Sequence, residues 1–238
     1  MEFLNVKTYP NAQEAALYAG FALNKILEEQ DGKPTLLLLS GGSALSLLEG
    51  VNSEYFGEHL TVSMVDERFS QDAAVNNFLQ LQKTDFYKDA HGKDANFFGT
   101  LPRDKETPGQ LAQRWERNLR QWRQDNPLGK IFATLGMGPD GHTAGIMPFP
   151  ENAEKFARLF ESQTWIAAYD AAGKNPHPQR VTATVNFLKQ LNGAIAYIAG
   201  KEKQIPFDRL RHKQNTAAEL PAMVFWSIGN LEIHTDLQ

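Results

Sequence analysis

The chain of 238 residues is 42% apolar, enough for a substantial core, and no Pro/Gly/Ser-rich linker divides it, so one α/β domain over residues 1–238 is expected rather than two small ones. A formal charge of −4 argues against nucleic-acid and membrane-surface roles, both of which demand a concentrated basic face. With no cysteine there are neither disulfides nor thiolate-bound metals. The six histidines show no metal spacing, and a chain without a signal-peptide pattern or an apolar run of about 20 residues is expected to be cytoplasmic.

In chain order, Phe3 to Val6 reads as an edge strand. Asn11 and Glu14 then open a helix with Ala15, Ala19, Ala22 and Ile26 on one face, stopped at Asp31-Gly32. Thr35 to Leu39 (TLLLL) has the continuous apolar character of a central parallel strand. SGGS follows at once: Gly41 and Gly42 permit a tight turn, and Ser40 and Ser43 bring hydroxyls to the start of a helix containing Leu45, Leu47 and Leu48. Strand, glycine turn and helix start together make an anion cradle, because unpaired N–H groups favour negative charge; an ordinary strand-to-helix connection is the equal alternative. Leu60 to Val65 is another buried strand. The charges that close it, Asp66-Glu67-Arg68, are either its solvated end or part of a cleft. Val75-Asn76-Asn77-Phe78 opens a helix, with the asparagines as caps or as partners for sugar hydroxyls and capping the expected role of at least one.

Thr107 and Gln110 form a capping box with Pro108 at the first helical position, and Leu111, Trp115, Leu119 and Trp122 follow as a core stripe. Ile131 to Leu135 is a strand, Glu151 to Glu161 a helix, Trp165 to Tyr169 extended. Arg180 to Val185 alternates as a strand with Arg180, Thr182 and Thr184 on one side, and Ala194 to Ala199 is a buried strand. Lys203, at a helix opening after that strand, repeats the anion-site pattern, a solvated lysine being the default reading for Lys201 or Lys203 alone. Arg209 to Lys213 reads as the solvated side of that helix. Met223 to Trp226 and Leu231 to His234 are late strands. Alternation of strands and helices predicts a three-layer α/β fold, a largely parallel sheet with helices on both faces.

The stretch LGMGPDGHTAGIMP, Leu135 to Pro148, organises the rest. It closes a buried strand with a glycine-rich turn that carries Asp140 and His142, a titratable pair at the sheet edge where open α/β sheets bind ligands. GMGPDG also matches G-x-G-x-x-G, but Pro148 stops any helix within about two turns, so dinucleotide binding is not expected.

SGGS at Ser40 to Ser43, VDERF at Val65 to Phe69, Asn76-Asn77, LGMGPDGHTA at Leu135 to Ala144, PQRVT at Pro178 to Thr182 and GKEK at Gly200 to Lys203 together resemble the 6-phosphogluconolactonase family, which is related to the glucosamine-6-phosphate deaminases. The resemblance implies hydrolysis of 6-phosphoglucono-δ-lactone in the oxidative pentose phosphate pathway, without metal or organic cofactor. On that likeness His142 is the general base, Asp140 orients it, Arg68 or loop N–H groups stabilise the oxyanion, and Gly138 is among the substrate-binding residues. Arg180 and Lys203 grip the phosphate with Gly41, Gly42 and Ser43, while Asp66 and Asn77 meet sugar hydroxyls. Two departures stand out: Ala44-Leu45 replaces the family's usual Thr-Pro, and Gly145 replaces a serine. The deaminases carry a glutamate shortly after the Asp-Gly-His turn, where this chain has Met147. A sugar-phosphate binder without catalysis is the other alternative.

Overall fold

The computed structural model describes residues 3–238. Seven strands of the described residues form the main sheet: β1 (Asn5–Thr8), β2 (Thr35–Leu39), β3 (Leu60–Met64), β5 (Asn96–Phe98), β6 (Lys130–Gly136), β9 (Gly193–Ile198) and β10 (Leu231–Thr235). They lie side by side in the order β1-β10-β9-β6-β2-β3-β5, every pair parallel. Burial on both faces explains the apolar runs of the central strands: β2, β3 and β9 are buried at every residue. From β2 the chain moves to β3 on one side, whereas from β6 the sheet grows through β9 and β10 on the other. The gap between the carboxyl ends of β2 and β6 is therefore the switch point, where an open α/β sheet leaves a crevice.

Among the described residues seven α-helices flank the strands: α1 (Ala12–Glu29), α2 (Asn77–Leu81), α3 (Asp85–Gly92), α4 (Pro108–Asp125), α5 (Ala153–Phe160), α6 (Val185–Leu188) and α7 (Gln204–Arg211). In α1 the Asn11 side chain accepts from the Glu14 N–H at 2.9 Å, as the sequence predicts. Its buried stripe, however, runs through Ala15, Ala19, Leu23 and Leu27, leaving Ala22 and Ile26 at the margin. In α4 both halves of the capping box form between Thr107 and Gln110, and the four predicted core residues are all buried. None of the described helices is long and apolar enough to cross a membrane.

A second, antiparallel sheet continues beyond the carboxyl end of β3, in the order β4-β8-β7: β4 (Asp66–Arg68), β8 (Gln179–Ala183) and β7 (Ile166–Asp170). The segments expected at Trp165 to Tyr169 and Arg180 to Val185 are thus strands, but not of the main sheet. The second of them ends at Ala183, because the Thr184 hydroxyl caps α6.

Three further expectations are corrected. The segment after SGGS is a 3₁₀ helix, Gly42–Gly50, and Met223 to Trp226 lies in another, Pro221–Ser227, where proline at the start favours a helical turn over a strand. The first strand begins at Asn5, since its register pairs Asn5 with Glu232 and Thr8 with Thr235, leaving Phe3 exposed. Elements α3 and β5 have no counterpart in the sequence reading.

Candidate active site

The turn after β6 folds back on itself: Gly138 N–H donates to His142 O at 2.9 Å, Gly141 N–H to Gly138 O at 3.0 Å, and the Thr143 hydroxyl to Gly136 O at 2.6 Å. The imidazole of His142 lies directly on Gly138, where a Cβ would stand 2.0 Å from His142 Cε1, so this position excludes every side chain. His142 Nδ1 and Asp140 Oδ1 are 2.5 Å apart, and the same oxygen accepts the His142 backbone N–H at 3.1 Å. Partial burial works against the Asp140 charge, but its hydrogen bonds and charge interaction with His142 outweigh that and hold the carboxyl below its ordinary range. An ionised carboxylate only accepts, so Nδ1 carries a proton, and in the neutral ring the lone pair is on Nε2. Nε2 has no partner among the described residues.

The ring borders a cleft of roughly 230 Å³ at the switch point. Facing it are Gly41, Gly42 and Ser43 from the turn after β2, Gly138 from the turn after β6, Asp66 and Arg68 from β4, Arg180 from β8, and Lys203 before α7. Nine of the residues singled out in the sequence therefore come together around one cavity. Asp140 stands behind the ring rather than in the cleft. Lys201 is exposed and does not line it, which leaves Lys203 as the cation of that pair at the site.

Asn77 departs from its expected role as a hydroxyl partner. It is fully buried, its amide packs against Gly41 from behind, and its Nδ2 donates to Asp66 O at 3.0 Å. It shapes the floor instead of lining the cleft.

The electrostatics of the cleft are unbalanced. Arg68 and Arg180 pair directly across β4 and β8, an arrangement that like charges disfavour. Arg180 is only 3% exposed, and its Nε and Nη1 have no partner; Arg68 Nε is also buried and unpaired. Neither guanidinium nor Lys203 makes an ion pair among the described residues. Burial pushes the Lys203 ammonium down from its usual range, partly offset by Glu202 and Asp236. Buried, unpaired cations are costly, and an anion in the cleft would offset that cost.

Sequence reasoning missed three supports. Glu67, read as a strand end or a cleft residue, is fully buried. Its carboxylate accepts from Thr100 Oγ1 at 2.7 Å and from the N–H groups of Asn77, Phe78 and Arg68 at 2.6, 3.0 and 2.8 Å. Burial pushes its carboxyl up to about 7 despite those donors. Tyr169 and Thr182, from β7 and β8, hold the backbone just after His142. No local pattern marks them, because their partners lie 22 to 38 residues away.

At the switch point of a parallel α/β sheet, an imidazole–carboxylate pair thus stands beside cations that lack ion pairs, an arrangement that can take an anion and move a proton. The chain belongs to the family described as glucosamine-6-phosphate isomerases/6-phosphogluconolactonase, whose model matches residues 10–233. A Caenorhabditis elegans relative, provisionally named a 6-phosphogluconolactonase, is 28% identical over 181 residues, 69% of this chain and 61% of its own length. The 6-phosphogluconolactonase of Xylella fastidiosa is 26% identical over 208 residues, 83% of this chain and 84% of that protein. Among solved structures, a Neisseria gonorrhoeae protein, also provisionally named a 6-phosphogluconolactonase, superposes with a TM-score of 0.78 at 21% identity, covering 98% of this chain and 99% of the other, and so shares its fold.

Proposed function

We propose that this chain hydrolyses 6-phosphoglucono-δ-lactone to 6-phosphogluconate, the lactone step of the oxidative pentose phosphate pathway, with His142 as general base. His142 Nε2 takes a proton from water while the oxygen of that water bonds to the lactone carbonyl carbon. The tetrahedral alkoxide then re-forms its carbonyl as the bond to the ring oxygen breaks, and the imidazolium returns the proton to that oxygen. One water is consumed, and the new acid ionises to the product carboxylate. Asp140 holds the productive tautomer and stabilises the imidazolium. Arg180 and Lys203 take the phosphate with the N–H groups of the Gly41–Ser43 turn, Arg68 adds positive charge near the carbonyl, and Asp66 meets sugar hydroxyls.

One observation carries the reading: a free imidazole nitrogen and a buried arginine whose Nε and Nη1 lack partners face the same cleft. The family's other chemistry, amino-sugar phosphate isomerisation, is supported less well. Met147 is buried and cannot move a proton, and Glu151 is exposed and paired with Lys174 at 2.7 Å, outside the cleft. The reading takes residues 1–238 as one domain that works in the cytoplasm on a small substrate.

The test is an assay with freshly generated lactone. The chain is expected to accelerate its loss above spontaneous hydrolysis without releasing ammonia from glucosamine 6-phosphate. Loss of lactone at the buffer rate would sink the proposal.

A further inference from the structure

We propose that the backbone N–H groups of Ala144 and Gly145 form the oxyanion hole of this site, and that the hydroxyls of Thr182 and Tyr169 aim them. This assignment rests on the lactonase reading above and names the donors that reading leaves open.

The chain from Thr143 to Ile146 is a tight turn closed by Ile146 N–H donating to Thr143 O at 2.8 Å. Its two central residues both have positive φ, +48° at Ala144 and +71° at Gly145, as a type I′ turn requires. Glycine takes that conformation freely. Alanine does not, because its Cβ crowds the backbone there, so a turn of this kind ordinarily selects asparagine, aspartate or glycine at the first position. Backbone strain two residues after the proposed base is a reason to look for a function.

The free donors supply one. Neither Ala144 N–H nor Gly145 N–H has a partner among the described residues, and both residues line the cleft that holds His142. Their direction follows from peptide geometry. In a trans peptide the N–H points opposite to the carbonyl of the preceding residue. The carbonyl before Gly145 belongs to Ala144 and accepts the hydroxyl of Thr182, which is fully buried on β8 outside the cleft lining. The Gly145 N–H is thereby turned away from β8. The carbonyl before Ala144 belongs to Thr143 and is engaged inside the turn by Ile146, which leaves the Ala144 N–H outward as well. Left-handed helical φ at Ala144 keeps the two N–H vectors on one side, as they are within a helix.

The far end of the turn is pinned by Tyr169, whose hydroxyl donates to Gly145 O at 2.5 Å and accepts from Met147 N–H at 3.2 Å while lying against the Arg180 guanidinium. The group that fixes the amides is therefore in contact with the proposed phosphate ligand. Gly145 itself is constrained from the other side: a Cβ there would stand 2.6 Å from Asp66 Cβ and 2.8 Å from Asp66 Oδ2. A serine at this position would have to displace Asp66 or the turn, which gives the Gly145 departure a physical role.

The test combines turnover with a direct view of the two amides. Thr182→Val, nearly isosteric but without the hydroxyl, is expected to lower kcat by about 10- to 100-fold with KM changed less than about twofold, and Thr182→Ser to restore it. Replacing Gly145 by glycolate, which exchanges the N–H for an ester oxygen, is expected to lower kcat by about 100-fold or more and covers the case in which Thr182→Val fails to fold. In ¹H–¹⁵N spectra of the wild type titrated with 6-phosphogluconate, the Ala144 and Gly145 amides should move downfield and gain exchange protection. Unmoved amides at saturation, an unaltered kcat in the ester variant, or a loss confined to KM would overturn the assignment. A wild type no faster than the buffer blank would instead remove the lactonase reading, while the amide shifts would still decide whether these groups bind an anion.

Discussion

At the scale of single residues the site depends on one proton's position. Asp140 accepts from His142 Nδ1, which on the proposed mechanism presents Nε2 as the base; without that carboxylate the ring could take the other tautomer or turn off Gly138. His142→Ala is accordingly expected to lower kcat by about 10²- to 10⁴-fold. Asp140→Asn should fall in the same direction with little change in KM, both read in the lactone assay. The proposed reading assigns Arg180 to binding rather than turnover. Since its buried Nε and Nη1 lack partners, Arg180→Gln should raise KM on the order of 10- to 100-fold and leave kcat nearly unchanged. A loss of kcat alone would move Arg180 from the phosphate to the reacting carbonyl.

Among the elements, the two glycine turns and the short antiparallel sheet build the cleft, while the helices hold the frame. Helix α4 packs on β7 and β8, the strands that carry Tyr169, Arg180 and Thr182. Its amino end is secured by Thr107 and Gln110 at the surface. Thr107→Ala is expected to cost about 1 kcal/mol of stability, seen as a lower denaturant midpoint, with kcat/KM unchanged because the cap touches nothing in the cleft. A capping box of this kind was readable in the sequence because it is local, with its partners three residues apart. The small sheet was not, because pairing Asp66 with Thr182 joins residues 116 positions apart and the strands that do it are five residues or fewer.

For the molecule as a whole, Glu67 ties together parts that the chain order separates: β4, the start of α2, and Thr100 beyond β5. Its folded carboxyl titrates near 7, above the ordinary carboxylate value of about 4.5. Between those values the native state holds more protons than the unfolded chain, so this group's contribution to stability falls as pH rises through that window. The denaturant midpoint of the wild type relative to Glu67→Gln should therefore decline from about pH 4.5 to about pH 7; a difference independent of pH would show that Glu67 titrates normally.

The sequence by itself determined the buried parallel strands, the capped helices and the identity of most groups around the cleft. Apolar runs, caps and glycine turns are governed by interactions within a few residues, and such interactions leave a pattern in one dimension. Only the tertiary structure decided which charges face the cavity and which vanish into the core. Asp66, Glu67 and Arg68 are indistinguishable in a string, yet alternation on β4 and its pairing with β8 send Asp66 and Arg68 to the cleft and bury Glu67 beneath α2. The same holds for Asn77 behind Gly41 and for the hydroxyls of Tyr169 and Thr182 behind the Ala144–Gly145 turn: their roles follow from what packs against them, and packing partners distant in sequence are set only when the chain closes.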